Sequence, residues 1–232
     1  MKKIVFLLPV LLCSITFDSF AQLGIQAGLN FSKLSFISDE DLDAMKSKFA
    51  PGGLLGLHYN INFGDKLYLE PAFQFNVYRY EVNVSHPDYS QDSKVFALHT
   101  QIPIHLGYKI NFTDNKAFKI FAGPYFSYGL TGKVTMDIND AGNKYSRDET
   151  IYFSKEKEDA NVAPKSYQNP LDIGAQLGVG IDLGGIAVCA IYSHGLSNII
   201  AHTDEPFSKE FRDNFAMKYR QLQAVVYFSF GK

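Results

Sequence analysis

Residues 23–32, LGIQAGLNFS, alternate without a break: Leu23, Ile25, Ala27, Leu29 and Phe31 are apolar, and Gly24, Gln26, Gly28, Asn30 and Ser32 are small or polar. A period of two is the mark of a strand with one apolar and one polar face. The pattern returns over 53–63, 67–77, 98–110, 118–130, 171–183, 186–194 and 219–230. In 67–77, for example, Leu67, Leu69, Phe73, Phe75 and Val77 oppose Tyr68, Glu70, Gln74 and Asn76. Only 186–194 is irregular, because Ile191 falls on the polar face. The segments predict eight strands, each near the 9–11 residues or so that a tilted strand needs to cross a bilayer.

Two features choose between a soluble sandwich and a membrane barrel. The first is the polar face, which carries Gly, Asn, Gln, Ser and His rather than solvated Lys and Glu. Such residues suit the crowded interior of a small barrel. The second is the connections, which alternate in length: 35–51 is long, Gly64-Asp65 tight, 81–95 long, NFTDNKA short, 132–169 very long, Gly184-Gly185 tight and 196–215 long. Outer-membrane barrels keep short turns on the periplasmic side and long loops outside. The expected fold is therefore all-β, an eight-stranded antiparallel up-and-down transmembrane β-barrel over 22–232, with long external loops and short periplasmic turns. A soluble exported lipocalin-like barrel that binds a ligand is the alternative.

The N-terminus agrees with export. Lys2 and Lys3 precede an apolar run from Ile4 to Ile15, and Ser19-Phe20-Ala21 offers a small-residue cleavage site, so residues 1–21 read as a signal peptide. Leu12 before Cys13 argues against a lipid-modified cysteine. Cys189 is then the single cysteine of the mature chain, which leaves the fold without an internal disulfide. The full chain carries −2; removal of the leader with Lys2, Lys3 and Asp18 leaves −3, no basis for nucleic-acid binding.

The polar face brings several ionisable groups inward: His58, Glu70, His99, His105, Lys109, Lys119, Asp172 and Asp182. Buried charges need partners, so Glu70 and Asp172 are expected as counter-ions of Lys109 and Lys119 in a network that plugs the lumen. His99 and His105, six residues apart on one strand, are about 20 Å apart at strand rise and cannot share a metal ion. A hydrolase embedded in the barrel is a further alternative, but Ser193 and His194 are adjacent and point to opposite faces. No catalytic residue, metal or cofactor is expected. The insertion 132–169 contains KVTMDI and ETIYFS, alternating enough for a hairpin above the membrane, and external loops are where barrels place binding. Tyr59, Phe63, Tyr108, Phe112, Tyr128 and Tyr192 lie near strand ends, as interfacial girdles do. The expected contacts are outer-membrane lipid and a protein partner at the loops, for a monomeric barrel.

The segments GIQAGLNFS, YLEPAFQF (68–75), IPIHLGYKI (102–110), FAGPYFSYGL (121–130), DIGAQLGVGIDL (172–183) and YSHGLSNI (192–199), taken in series, resemble the PorT-like outer-membrane β-barrel family of Bacteroidota. The resemblance spans nearly the whole mature chain. It implies an eight-stranded outer-membrane barrel of a Gram-negative cell. The family includes PorT, a component of a protein secretion system, and many members of unknown role, so the resemblance carries the fold over to this chain and leaves a binding or structural role, with an association with secretion or envelope assembly, as the expectation.

Overall fold

A computed structural model describes residues 21–38, 45–113, 115–154, 166–201 and 214–230; residues 1–20 of the expected leader lie outside them. The described residues form ten strands: β1 (Ala21–Ser38), β2 (Met45–Phe63), β3 (Leu67–His86), β4 (Tyr89–Thr113), β5 (Lys116–Asp140), β6 (Asn143–Phe153), β7 (Ser166–Gln168), β8 (Leu171–Asp182), β9 (Ile186–Gly195) and β10 (Phe215–Phe230). All belong to one sheet in the order β4-β3-β2-β1-β10-β9-β8-β5-β6-β7, and β4 also pairs with β5. Every pairing is antiparallel except β6 with β7. Each of the eight expected segments lies in a strand, and two further strands, β6 and β7, lie within 132–169, making ten among the described residues.

The pairings run in a cycle. One row of partners goes from Ile61 on β2 through Leu69, Leu106, Ala122, Leu177, Tyr192, Leu222 and Phe31, and comes back to β2 at Pro51, ten residues from its start. The tight turns at 64–66 and 183–185 use glycine where the chain needs a positive φ, at Gly64 (72°), Gly184 (84°) and Gly185 (114°). We call this the turn end, and its opposite the loop end.

The two faces are segregated as the alternation requires, with the apolar one outward. Leu23, Leu29, Leu55, Leu106, Leu177 and Val188 are exposed, whereas Gln26, Asn30, His58, Gln74, Gln101 and Gln221 are buried. An apolar band so continuous is foreign to a protein surrounded by water. The buried polar face explains the small residues on it: a Cβ at Gly107 would meet the ring of Tyr68 at 2.1 Å, and one at Gly178 the ring of Phe121 at 2.2 Å.

Strands at the loop end run much further than the alternation suggested. β3 and β4 pair without interruption out to His86↔Tyr89, so the expected long loop 81–95 is a two-residue turn at Pro87-Asp88 on an extended hairpin. In EVNVSHPDYSQDSKVF both faces are polar at the tip, which hides a strand from a search for apolar alternation. β5 leaves β8 after Tyr128↔Leu171 and continues with β6 from Gly132↔Ile151 to the Ala141-Gly142 turn. Beyond that level β6, β7 and residues 198–200 stand in for β8 and β9: β7 lies along β6, Gln168 bridges to Ile200, and Ile199 N–H donates to Met217 O (2.9 Å) on β10. The sheet therefore has a second tier with an apolar core of its own, built from Leu34, Tyr78, Tyr80, Val134, Ile151 and Tyr219.

Candidate functional site

The interior divides into a charged lower part and an aromatic upper part. In the lower part, β3, β4 and β5 lie side by side and present Glu70, His105 and Lys119 inward. Lys119 Nζ donates to Glu70 Oε2 at 3.1 Å, with both side chains almost wholly buried (3% and 1% exposed). Asn60 Nδ2 donates to the same oxygen (3.2 Å). His105 Nδ1 stands 4.0 Å from Glu70 Oε1, and its Nε2 donates to Gln176 Oε1 (2.7 Å), whose Nε2 donates to Ser193 Oγ (2.9 Å). The Lys119 ammonium also lies over the rings of Tyr68 (4.5 Å) and Tyr227 (5.5 Å). The charge is neutralised by one carboxylate and shielded by two aromatic faces, which is how a cation survives burial.

Of the four residues expected to form the network, Glu70 and Lys119 meet. Lys109 stands nearer the turn end, donating to Asn62 Oδ1 (3.1 Å), 3.8 Å from Asp182 Oδ2 and 5.4 Å from the Tyr68 ring centre. Asp172 is the correction. It accepts a hydrogen bond from Tyr125 OH (2.8 Å) and takes no part in an ion pair among the described residues. The reason is register: Lys119 faces Gly180 and Asp172 faces Ser127, eight residues apart on β8, or about 26 Å along the strand. Asp182, two positions from Gly180, takes the place given to Asp172.

The aromatic part was not anticipated. Tyr78 stacks on His99 with centroids 4.2 Å apart, Tyr219 meets Tyr78 edge-on at 5.1 Å, and Phe153 of β6 meets His99 edge-on at 5.1 Å. Tyr219 OH donates to Gln168 Oε1 (3.1 Å) and Gln168 Nε2 donates to Tyr80 OH (2.9 Å), tying β10, β7 and β3 together across the interior. The signal lay in Tyr78 and Tyr80, which continue the inward parity of Gln74 and Asn76 past the point where β3 was expected to end.

At the turn end a cavity of about 1040 Å³ opens, lined among others by Gln22, Asn62, Asp65, Lys109, Asn111 and Asp182. Of these, Lys109 also lies over the Tyr68 ring, whose face Lys119 shares at 4.5 Å. Among the described residues the interior thus runs from a polar mouth at the turn end through the Glu70–Lys119 pair to the aromatic cluster around His99. Ser193 lies inside against Gln176, while His194 lies on the outer face beside Tyr192 OH (3.4 Å). His99 contacts Ser127 (3.3 Å) and His58 contacts Ser229 (3.3 Å), each in its own surroundings.

A family model described as outer membrane protein beta-barrel domain matches residues 16–201. The chain belongs to this family. As a member it is a protein of the cell outer membrane, and the family's β-barrel domain covers all but the last of the strands described above. No curated protein matches the chain. Among solved structures, the family member is similar to OprG from Pseudomonas aeruginosa (12% identity, TM-score 0.44, covering 92% of this chain and 97% of that one). It is similar also to neisserial surface protein A (15%, 0.41, 91% and 100%) and to Ail, the attachment invasion locus protein of Yersinia pestis (14%, 0.36, 90% and 100%).

Proposed function

We propose that this protein is an eight-stranded up-and-down transmembrane barrel with a filled lumen, that it conducts nothing and catalyses nothing, and that it acts by binding a protein partner at its external end. β1 to β5 and β8 to β10 are the wall, and β6 and β7 extend it outside the cell. The observation that carries this reading is the cycle of pairings with its ten-residue stagger. For eight strands that stagger corresponds to a tilt of about 40°, within the range closed barrels adopt, and to an interior just wide enough for side chains. The aromatic and charged layers use up that interior, which leaves the ends of the barrel for function. The second tier, formed by the β3–β4 and β5–β6 hairpins, offers the larger surface. The PorT-like resemblance supports a place among Bacteroidota envelope proteins serving secretion or envelope assembly, as a monomer with its turn end in the periplasm.

Reconstitution in planar bilayers tests the reading. The expected result is no steady conductance at any potential that the bare bilayer withstands. A large, stable conductance would refute a filled lumen, and recovery of the mature protein from the periplasm without detergent would refute the membrane barrel.

A further inference from the structure

We propose that the outer wall of β9, β10 and β1, at the loop-end margin of its apolar band, binds the anionic phosphate headgroup of a membrane lipid through Lys33, Lys218 and Arg220. The inference rests on the reading of the chain as a transmembrane barrel and assigns a ligand to one part of its surface.

Register places the cations together. Lys33 faces Arg220, Arg220 faces His194, and Lys218 faces Ser35 in the next outward row. Adjacent strands are about 4.8 Å apart, so the group covers the width of one headgroup. Like charges directly opposite each other destabilise a strand pair, and among the described residues none of Lys33, Lys218 and Arg220 has a carboxylate within 4.0 Å. Asp172 lies on the inner face of the wall, where it accepts a hydrogen bond from Tyr125 OH. The opposite wall is built differently: there Lys133 pairs with Asp148 (2.8 Å) and Lys94 lies 3.9 Å from Asp137. A bound anion would supply a counter-charge that the described residues do not place within 4.0 Å of these three cations.

The height of the cluster selects a lipid over a soluble anion. Measured along the tilted strands from the level of Leu177, Arg220 stands about 11 Å and Lys33 about 15 Å toward the loop end, where a hydrocarbon layer some 30 Å thick comes to its edge. The row just inward, Tyr192, Leu222 and Phe31, is apolar and exposed, a surface for the acyl chains of the same lipid. Arg220 Nη1 donates to Gly195 O (2.9 Å) and Tyr219 O (2.8 Å), which fixes the guanidinium against the wall. Lys33 Nζ lies over the Phe49 ring (4.9 Å) at the other edge of the cluster.

The test is lipid retention by the full mature protein in detergent, read by native mass spectrometry after titration with dioleoylphosphatidylglycerol or dioleoylphosphatidylcholine. The wild-type protein is expected to retain the anionic phosphatidylglycerol in preference to the zwitterionic phosphatidylcholine. Each cationic residue near an anionic headgroup contributes roughly a fivefold preference, so Lys33→Gln with Arg220→Gln should reduce it by about 25-fold. Lys94→Gln with Lys133→Gln should change it by less than about twofold, since those lysines already have acidic partners. Equal retention of both lipids by the wild type, or a preference that survives removal of Lys33 and Arg220, would overturn the proposal. Because the wild-type comparison needs no variant, it decides even if the double substitution fails to assemble. A folded protein that retains both lipids equally refutes the headgroup site alone, whereas a chain that stays in solution without detergent refutes the barrel as well.

Discussion

Replacing Glu70 by Gln removes the carboxylate that pairs with the buried Lys119 ammonium among the described residues, without changing the shape of the site. Their separation is 3.1 Å and both side chains are at most 3% exposed, so water cannot take over the role of the lost charge. Breaking a buried ion pair from one side costs about 3–5 kcal/mol. In the Glu70→Gln variant the new amide oxygen would still accept a hydrogen bond from Lys119 Nζ, which recovers about 1 kcal/mol. The contacts of the ammonium to Tyr68 and Tyr227 exist before and after and offset nothing. The expected loss is about 3 kcal/mol. Lys119→Met alone should cost a similar amount, leaving Glu70 with only Asn60 and His105 nearby. The double substitution, which leaves no charge unpaired, should lie within about 1 kcal/mol of wild type, a coupling of several kcal/mol. Urea unfolding in lipid vesicles, followed by far-ultraviolet circular dichroism because the chain has no tryptophan, measures all four proteins. Single losses below about 1 kcal/mol, or losses that simply add, would show that Glu70 and Lys119 do not depend on each other.

Leu177 is 57% exposed near mid-height, so Leu177→Arg should lower stability in vesicles by roughly 2–4 kcal/mol while Leu177→Phe stays within about 1 kcal/mol; equal tolerance would mean that the outer face is not lipid-facing. Lys144→Cys beside the β5–β6 turn should react with an impermeant maleimide on intact cells, whereas Asp65→Cys should react only after the outer membrane is opened, Cys189 being buried and silent. The reverse order of labelling would invert the barrel. Truncating Tyr78 and Tyr219 to Ala removes the rings that close the aromatic layer on His99, and should produce transient conductance in planar bilayers where the wild type shows none. Unchanged silence would place the seal in the Lys109–Tyr68–Lys119 stack instead. Protease cleavage of intact cells at Lys155 or Lys157, expected from the SKEKED sequence, probes a segment outside the described residues.

The wall was legible because lipid on one side and packed side chains on the other impose a strict period of two, and each of the eight expected segments coincides with a strand. The second tier was not, because outside the membrane the outward positions become Arg79, Glu81, Lys94 and Lys133, so the strand continues while the hydropathy contrast that reveals it disappears. Glu70 and Lys119 were recognisable as buried charges in need of partners. Which carboxylate serves which lysine depends on stagger, and a chain read one strand at a time contains no information on stagger; hence Asp172 was assigned where Asp182 stands. The basic row on β1 and β10 was invisible for the same reason, since Lys33 and Arg220 are 187 positions apart and meet only when the first and last strands join.

That junction has a consequence for biogenesis. β1 and β10 pair over sixteen successive positions, from Leu23↔Phe230 to Ser38↔Phe215, so the seam joins the first of the described strands to the last. Closing so long a loop is entropically demanding, and contacts of this separation form late. Until Phe215–Phe230 has been synthesised and exported, β1 presents a bare edge of backbone donors and acceptors, which hydrocarbon cannot solvate and which other strands readily join. An incomplete chain therefore cannot settle in the bilayer as a shorter version of the same wall. Insertion of the wall thus waits on the sixteen residues of β10, and nonsense mutations upstream of Phe215 should leave no membrane-resident fragment, only a substrate for periplasmic proteases.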